Sequence, residues 1–180
     1  CMSVVVIDTI RLQLTPVAPA HLLALIEGAE RFEECFGLPA ADGLRSFIVS
    51  DEISPDWLAQ LHASATPDLW IHGYVIVDQE SRSVVGMVGF KGAPNEDGMA
   101  EVSYGIVPGF QCRGYATEAV DAVVAFVFRD SRVTRVWAHT LPVGNASTRV
   151  LAKCGFKHIG EVQDPDDGLV WRWERIRESA

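Results

Sequence analysis

The chain predicts one mixed α/β domain, and three features point there. Its 180 residues, 48% hydrophobic and 22% charged, suit a soluble chain long enough to bury a core, not a disordered one. Apolar residues alternate with period two in some stretches and recur at three and four in others, so strands and helices are interspersed. Between a strand-like run and a strongly apolar helix stands Gln111-Cys112-Arg113-Gly114-Tyr115-Ala116, a strand–turn–helix junction.

Ile10 to Leu14 alternates as a half-buried strand, and Thr15-Pro16 ends it. A helical stretch follows, with Leu22, Leu23, Leu25 and Ile26 as its apolar stripe. Residues 37–69 are broken by Gly37, Pro39, Gly43, Pro55 and Pro67, leaving room for one or two short helices, for example around Trp57, Leu58 and Leu61. Trp70 to Val77 and Val84 to Phe90 are β-branched and aromatic around a short polar loop, which reads as an antiparallel hairpin. Met99 to Val107 is the next strand, and Pro108-Gly109 stops it. From Thr117 to Arg129 the period changes to that of a helix, with Val120, Val123, Val124 and Val127 on one face. Val133 to Thr140 is again a strand. Ala146 to Cys154 is a short helix, ended by Gly155 with Phe156 packing back on its last turn. Phe156 to Val162 and Leu169 to Arg175 are the last strands, joined by the turn 164–168. No repeat, linker or low-complexity segment divides the chain, so a single domain over 1–180 is expected.

Composition narrows the function classes. The net charge of −9 comes without a Lys/Arg cluster, which disfavours nucleic acid as a partner. It suits either a cationic substrate or plain solubility. No apolar run approaches the roughly 18 residues of a membrane span, and no basic n-region or cleavage site opens the chain, so a cytoplasmic protein is expected. Cys1, Cys35, Cys112 and Cys154 are scattered, with no C-x-x-C pair, and read as reduced thiols. Cys1 precedes Met2 and is given no role. His21, His62, His72 and His158 show no metal spacing, so no metal is expected.

The junction at Gly114 carries the functional signal. A glycine turn at a helix start presents unpaired backbone N–H groups and the positive end of the helix dipole, a seat for a phosphate or pyrophosphate. Neither G-x-x-x-x-G-K-[ST] nor G-x-G-x-x-G is present, so the turn is not a P-loop or a dinucleotide fingerprint. Gln111-x-x-Gly114-x-Ala116 resembles instead the [QR]-x-x-G-x-[GA] signature of the GCN5-related N-acetyltransferases (GNAT). Asn145-Ala146-Ser147-Thr148-Arg149-Val150-Leu151-Ala152-Lys153-Cys154-Gly155-Phe156 is similar to the A-S-x-R-V-L-x-K-x-G-F segment of its RimJ/RimL branch. The resemblance covers about Ile10 to Arg175.

This resemblance implies an α+β fold: a twisted mixed sheet of six or seven strands, flanked by about four helices. Two central parallel strands, here about 99–107 and 133–140, would splay for the pantetheine arm of acetyl-CoA. It implies that the main chain of Gln111, Cys112, Arg113, Gly114, Tyr115, Ala116 and Thr117 holds the pyrophosphate. Ile106 and Val107 would contact the cofactor, with a backbone N–H near Val107 as oxyanion donor to the thioester. Ser147 would lie close to the sulfur, or else only cap its helix. Asn145 stands one place after the branch's usual asparagine, which here is Gly144; it would touch the cofactor or merely be the N-cap. The tyrosine that many members use as an acid is replaced by Leu151.

An ammonium acceptor must lose a proton before attack. Glu101 is the first candidate base, against the reading of an exposed strand-start residue. Glu101, Ser103 and Gly105 share one face of their strand and Val102, Tyr104 and Ile106 the other. His139 is the second candidate, against a hydrogen-bonded structural role. Cys112 reads as a tolerated small residue, and the five tryptophans as core more than pocket.

The expected activity is acetyl transfer from acetyl-CoA to a primary amine, either a protein N-terminus or a small molecule, by direct attack in a ternary complex. Acceptor specificity would reside in about residues 20–70. A non-catalytic CoA or acyl-CoA sensor or subunit is the alternative, and a nucleotide-binding protein of unrelated fold a third reading. The tail strand carrying Trp171 and Trp173 fits a monomer or a homodimer equally.

Overall fold

The strand and helix periods of the sequence resolve into one twisted sheet with helices on both sides. The computed structural model describes residues 5–49 and 54–178. Its elements are β1 (Ile7–Asp8), β2 (Leu12–Pro16), α1 (Pro19–Glu27), α2 (Ala29–Phe36), α3 (Pro55–His62), β3 (Tyr74–Asp78), β4 (Ser83–Phe90), β5 (Met99–Ile106), α4 (Tyr115–Val127), β6 (Arg135–Thr140), α5 (Ala146–Lys153), β7 (Lys157–Asp164) and β8 (Gly168–Ile176). The strand order is β1-β2-β3-β4-β5-β6-β8-β7. All neighbours are antiparallel except β5 and β6.

Eight strands rather than six or seven appear because two residues, Ile7 and Asp8, pair with β2. Five α-helices rather than about four appear because Ala29–Phe36, which carries one buried apolar residue, Phe32, forms α2 after Gly28. The hairpin strand starts at Tyr74, not Trp70. The Asp68 carboxylate accepts from the N–H groups of Trp70 and Ile71, holding that stretch in a turn. The helix after the glycine junction begins two residues earlier than expected, at Tyr115, and ends at Val127.

The segment with the weakest sequence signal is held by main-chain bonds. Val84 N–H donates to Pro39 O and Ala41 N–H to Val84 O, tying 39–41 to β4. A single 3-10 turn, Leu44–Phe47, follows. Leu44 is fully buried, and Arg45 donates twice to Ile26 O at the end of α1, at 3.0 and 2.7 Å. Phe47 is thereby laid over β5, where a Cβ on Gly105 would stand 3.3 Å from its ring.

The core on the other face is built by α4, whose Ala119, Val120, Val123, Val124 and Val127 are fully buried. The helix packs across β2, β4 and β5. The end of α5 follows its sequence signal closely. Gly155 adopts φ +81°, its N–H donates to Ala152 O, and Phe156 N–H reaches back to Leu151 O at 3.0 Å.

Candidate active site

Parallel pairing of β5 with β6 runs only through Met99–Arg135, Ala100–Val136 and Glu101–Trp137. Beyond Glu101 the two strands continue without registering, so a wedge opens between Val102–Ile106 and Ala138–Thr140. One rim carries a row of main-chain groups. Val107 N–H donates to Val85 O at 2.8 Å, so antiparallel alternation turns the N–H groups of Ile106 and Tyr104 away from β4, toward the wedge. Of the N–H groups near Val107, its own is thus spent on β4, and the neighbouring one that faces the wedge belongs to Ile106. The Gln111 side-chain amide donates to Ile106 O at 2.9 Å, which gives that side chain a local structural task.

At the top of the wedge the turn before α4 forms a concave row of donors. Cys112 at φ +63° and Gly114 at φ +80° are both left-handed, and such alternation folds successive N–H groups toward a common centre. Among the described residues, none of the N–H groups from Cys112 to Thr117 meets an acceptor. The helix rule accounts for those of the first turn.

Side chains around this turn hold it from behind. Arg11 donates to Arg113 O at 2.7 Å and pairs with Glu118 at 2.9 Å. Its guanidinium lies 4.6 Å over the Tyr115 ring. Glu118 also accepts from Thr9 Oγ1 and Arg11 N–H. Burial raises its pKa, but these bonds outweigh burial and hold it below the usual value. The Tyr115 hydroxyl donates to Asp78 Oδ1 at 2.9 Å, and both residues are buried. Arg113 lies over Phe110 and donates to Gly109 O. Ala116 packs on the core, and Thr117 O accepts the Cys154 thiol.

The far side of the wedge is the start of α5. Asn145 is its N-cap: Oδ1 accepts from Thr148 N–H at 3.0 Å, and Thr148 Oγ1 accepts from Asn145 N–H at 2.9 Å. The capping alternative is therefore realised. Ser147, half-buried in the first turn, receives the Tyr104 hydroxyl on its carbonyl at 3.3 Å. Tyr104 thus reaches from β5 to α5 beside the wedge, and burial pushes its phenol up to about 12. Sequence reasoning placed Tyr104 on a face and no more.

Glu101 forms an ion pair with Lys91 at 3.1 Å and is mostly covered, with 17% of its side chain exposed. In register with it is Trp137, which carries the Arg172 guanidinium 4.2 Å over its ring. His139 lies two residues along the same face of β6. It meets Trp137 edge-on, places Nδ1 3.5 Å from Asp164 Oδ2, and leaves Nε2 buried without a partner. The structure therefore puts Glu101 and His139 on one face of the sheet, and Tyr104 and Ser147 toward the other.

On the Glu101 face, next to Ser103 and Gly105, lies a cavity of about 340 Å³. Its walls include Phe47, Ile71 and Met87, and bare backbone comes from Gly73, Gly89 and Gly105. None of the five tryptophans lines it. Among the described residues no group of three or more His, Cys, Asp or Glu side chains is gathered to hold a metal, and no helix is long and apolar enough to cross a membrane.

The site thus consists of a strand that leads into a row of free amides at a helix start, beside a parallel pair that parts. The acetyltransferase (GNAT) domain family matches residues 11–157, and this chain belongs to that family. A stretch of 82 residues is 29% identical to the uncharacterized N-acetyltransferase YoaA of Bacillus subtilis, spanning 46% of either chain; the match thus covers about half the length of that relative. Two solved structures share the fold over nearly the whole chain. Ribosomal-protein-S5-alanine acetyltransferase of Vibrio fischeri has TM-score 0.67 at 17% identity, over 97% of this chain and 98% of that one. RimL, a ribosomal L7/L12 α-N-protein acetyltransferase in complex with coenzyme A, has TM-score 0.67 at 16% identity, over 96% and 98%.

Proposed function

We propose that the protein transfers an acetyl group from acetyl-CoA to a primary amine in a ternary complex. The observation that carries this is the wedge: pairing stops at Glu101–Trp137 directly below an amide nest, and a cavity opens on one face beside it. The nest from Cys112 to Thr117 would receive the pyrophosphate, with most of the recognition supplied by main-chain donors. The Ile106 N–H would donate to the thioester oxygen as negative charge develops there.

The amine enters from the Glu101 face. Glu101 takes the ammonium proton, aided on the same face by His139. The freed nitrogen then forms a C–N bond to the carbonyl carbon and gives up a second proton to solvent as the C–S bond breaks. The electron pair of that bond leaves on sulfur. Tyr104 and Ser147 are on the opposite side of the wedge, where the sulfur departs. A phenol near 12 would not give its proton to a thiolate whose conjugate acid is near 8.5, since that transfer is uphill by roughly three to four units. Tyr104 would therefore stabilise the thiolate by turning its one O–H from Ser147 O to the sulfur, and the proton reaches sulfur from water.

Thiol release from acetyl-CoA, followed with a panel of amines, tests the reading. Glu101→Gln should lower kcat by about 10²- to 10⁴-fold, the usual worth of a general base. Tyr104→Phe should lower kcat about tenfold with the KM for acetyl-CoA unchanged, as a lost hydrogen bond to a charged group predicts. Tight CoA binding without turnover of any amine would assign the fold to a non-catalytic CoA-binding role instead.

A further inference from the structure

The overall charge of −9 invites a polycationic acceptor, yet the cavity beside Glu101 has the opposite character. Phe47 and Ile71, both more than 40% exposed, stand together at its edge and give its mouth an apolar rim. Its floor is main chain. Gly89 and Gly73 approach so closely that a Cβ on Gly89 would come within 3.1 Å of Gly73 Cα, and one on Gly73 within 2.9 Å of Val88 O. Across the register from Gly89 and Met87 lie Ser103 and Gly105, so the cavity ends on the strand that carries Glu101.

The polar groups of the lining bring no negative charge. His72 Nδ1 accepts from Asp68 N–H at 2.9 Å, and burial lowers its pKa, which keeps the ring neutral. Ser103, Tyr74 and Tyr104 contribute neutral groups only. Among the described residues no Asp or Glu lines the cavity. A second or third ammonium entering it would exchange its water for neutral hydroxyl and main-chain groups alone, with no carboxylate in the described lining to neutralise it.

We infer that the acceptor is an amine with a single positive charge whose neighbouring carbon bears an apolar group. That group fills the Phe47–Ile71–Met87 cavity while the nitrogen points to Glu101. Polyamines and aminoglycosides are poor acceptors. This rests on the acetyl-transfer reading above. The apolar amine can come as a free small molecule or as the first residue of a peptide, and both present the same chemistry to the cavity.

The test measures kcat/KM for leucinamide, phenethylamine, a peptide beginning with Leu, spermidine and an aminoglycoside. The apolar amines should exceed spermidine and the aminoglycoside by at least about 100-fold, the order of discrimination an apolar pocket achieves when charge is added to size. Whichever of the small amine and the peptide is faster identifies the source. Phe47→Ala should raise the acceptor KM about tenfold with the KM for acetyl-CoA unchanged. Phe47→Asp should narrow the gap in favour of spermidine. The sequence also carries Asp51 and Glu52 shortly after Phe47; the Asp51→Asn, Glu52→Gln double variant should keep the same order of acceptors. Faster turnover of spermidine or the aminoglycoside, an unchanged acceptor KM in Phe47→Ala, or loss of apolar-amine turnover in the double variant overturns the inference alone. Absence of turnover with every amine overturns the acetyl-transfer reading along with it.

Discussion

The nest above the wedge follows β5 and the cavity beside it is lined by the same strand, but they are made of different material. The nest is consecutive main chain, Cys112 to Thr117, shaped by two left-handed residues and anchored from behind by Arg11, Glu118, Tyr115 and Asp78. The cavity is side chain and bare backbone drawn from residue 47, from 71–74, from β4 and from β5. The contrast teaches that this fold separates a fixed task from an adjustable one. Under the proposed function, a group common to every reaction would be held by amides that side-chain substitution, proline apart, leaves in place. The variable partner meets residues that substitution can change one at a time.

The anchor should show the largest effect on stability. Tyr115→Phe removes the hydroxyl from a buried carboxylate, which keeps only its bonds from the Ser81 side. A loss of about 1–3 kcal/mol follows for a buried group left short of a partner. Thermal unfolding should register it as a midpoint lowered by roughly 2–12 °C, and by contrast Phe47→Ala at the cavity edge should move the midpoint very little. Equal shifts would erase the distinction between anchored nest and adjustable cavity.

Acid should weaken the same anchor. For Asp78, burial raises the pKa, but the hydrogen bonds from Ser81 and Tyr115 win and lower it; Glu118 is lowered in the same manner by Thr9 and Arg11. Groups whose pKa falls on folding contribute stability above their unfolded values, near 4, and lose it as pH drops through the folded ones. Denaturation midpoints should therefore fall in two stages: a first decline below about 6.5, where His21 and His72, whose pKa burial lowers, are protonated more readily in the unfolded chain, and a second below about 4 from the carboxylates. Glu118→Gln should flatten part of that decline, and an unaltered acid slope would remove Glu118 from the account.

A smaller effect distinguishes the thiols. Burial pushes the Cys154 thiol up to about 11, so it should resist alkylation at pH 8 in the folded protein, while exposed Cys35 and Cys112 react. Coenzyme A should slow labelling of Cys112, which sits in the nest, and leave Cys35 untouched. Mass spectrometry of the labelled peptides reads both. Equal protection of the two would place the ligand elsewhere.

How much of this was legible in the sequence follows the same division. The turn at Gly114 and the helix stop at Gly155-Phe156 are local patterns set by backbone conformation, so a helix start after the turn and the end of α5 could be read directly, while the spacing of Gln111, Gly114 and Ala116 was legible only as a family resemblance. The second left-handed residue, Cys112, could not, because a non-glycine residue at φ +63° carries no sequence mark. Which N–H near Val107 faces the wedge was not legible, since register with Val85, a long-range property, decides which way an N–H points. Tyr104 was passed over for a related reason: its partner Ser147 lies 43 residues away. The cavity had no signature at all. Phe47 faces Gly105 only because Leu44 and Arg45 fasten an irregular segment to the core and to α1, and no periodicity announces that.

The central claim is that coenzyme A is held by the main chain of the nest. Calorimetric titration of CoA into the wild type, Gly114→Val and Arg113→Ala tests it most directly. A β-branched side chain at φ +80° costs about 1–2 kcal/mol in backbone strain alone and crowds the anion's approach. The account predicts a Kd raised at least about tenfold for Gly114→Val, and a distinctly smaller rise for Arg113→Ala, whose side chain is already engaged with Gly109 O and Phe110. A Gly114→Val protein that binds as tightly as the wild type, or a larger loss from Arg113→Ala, would contradict it.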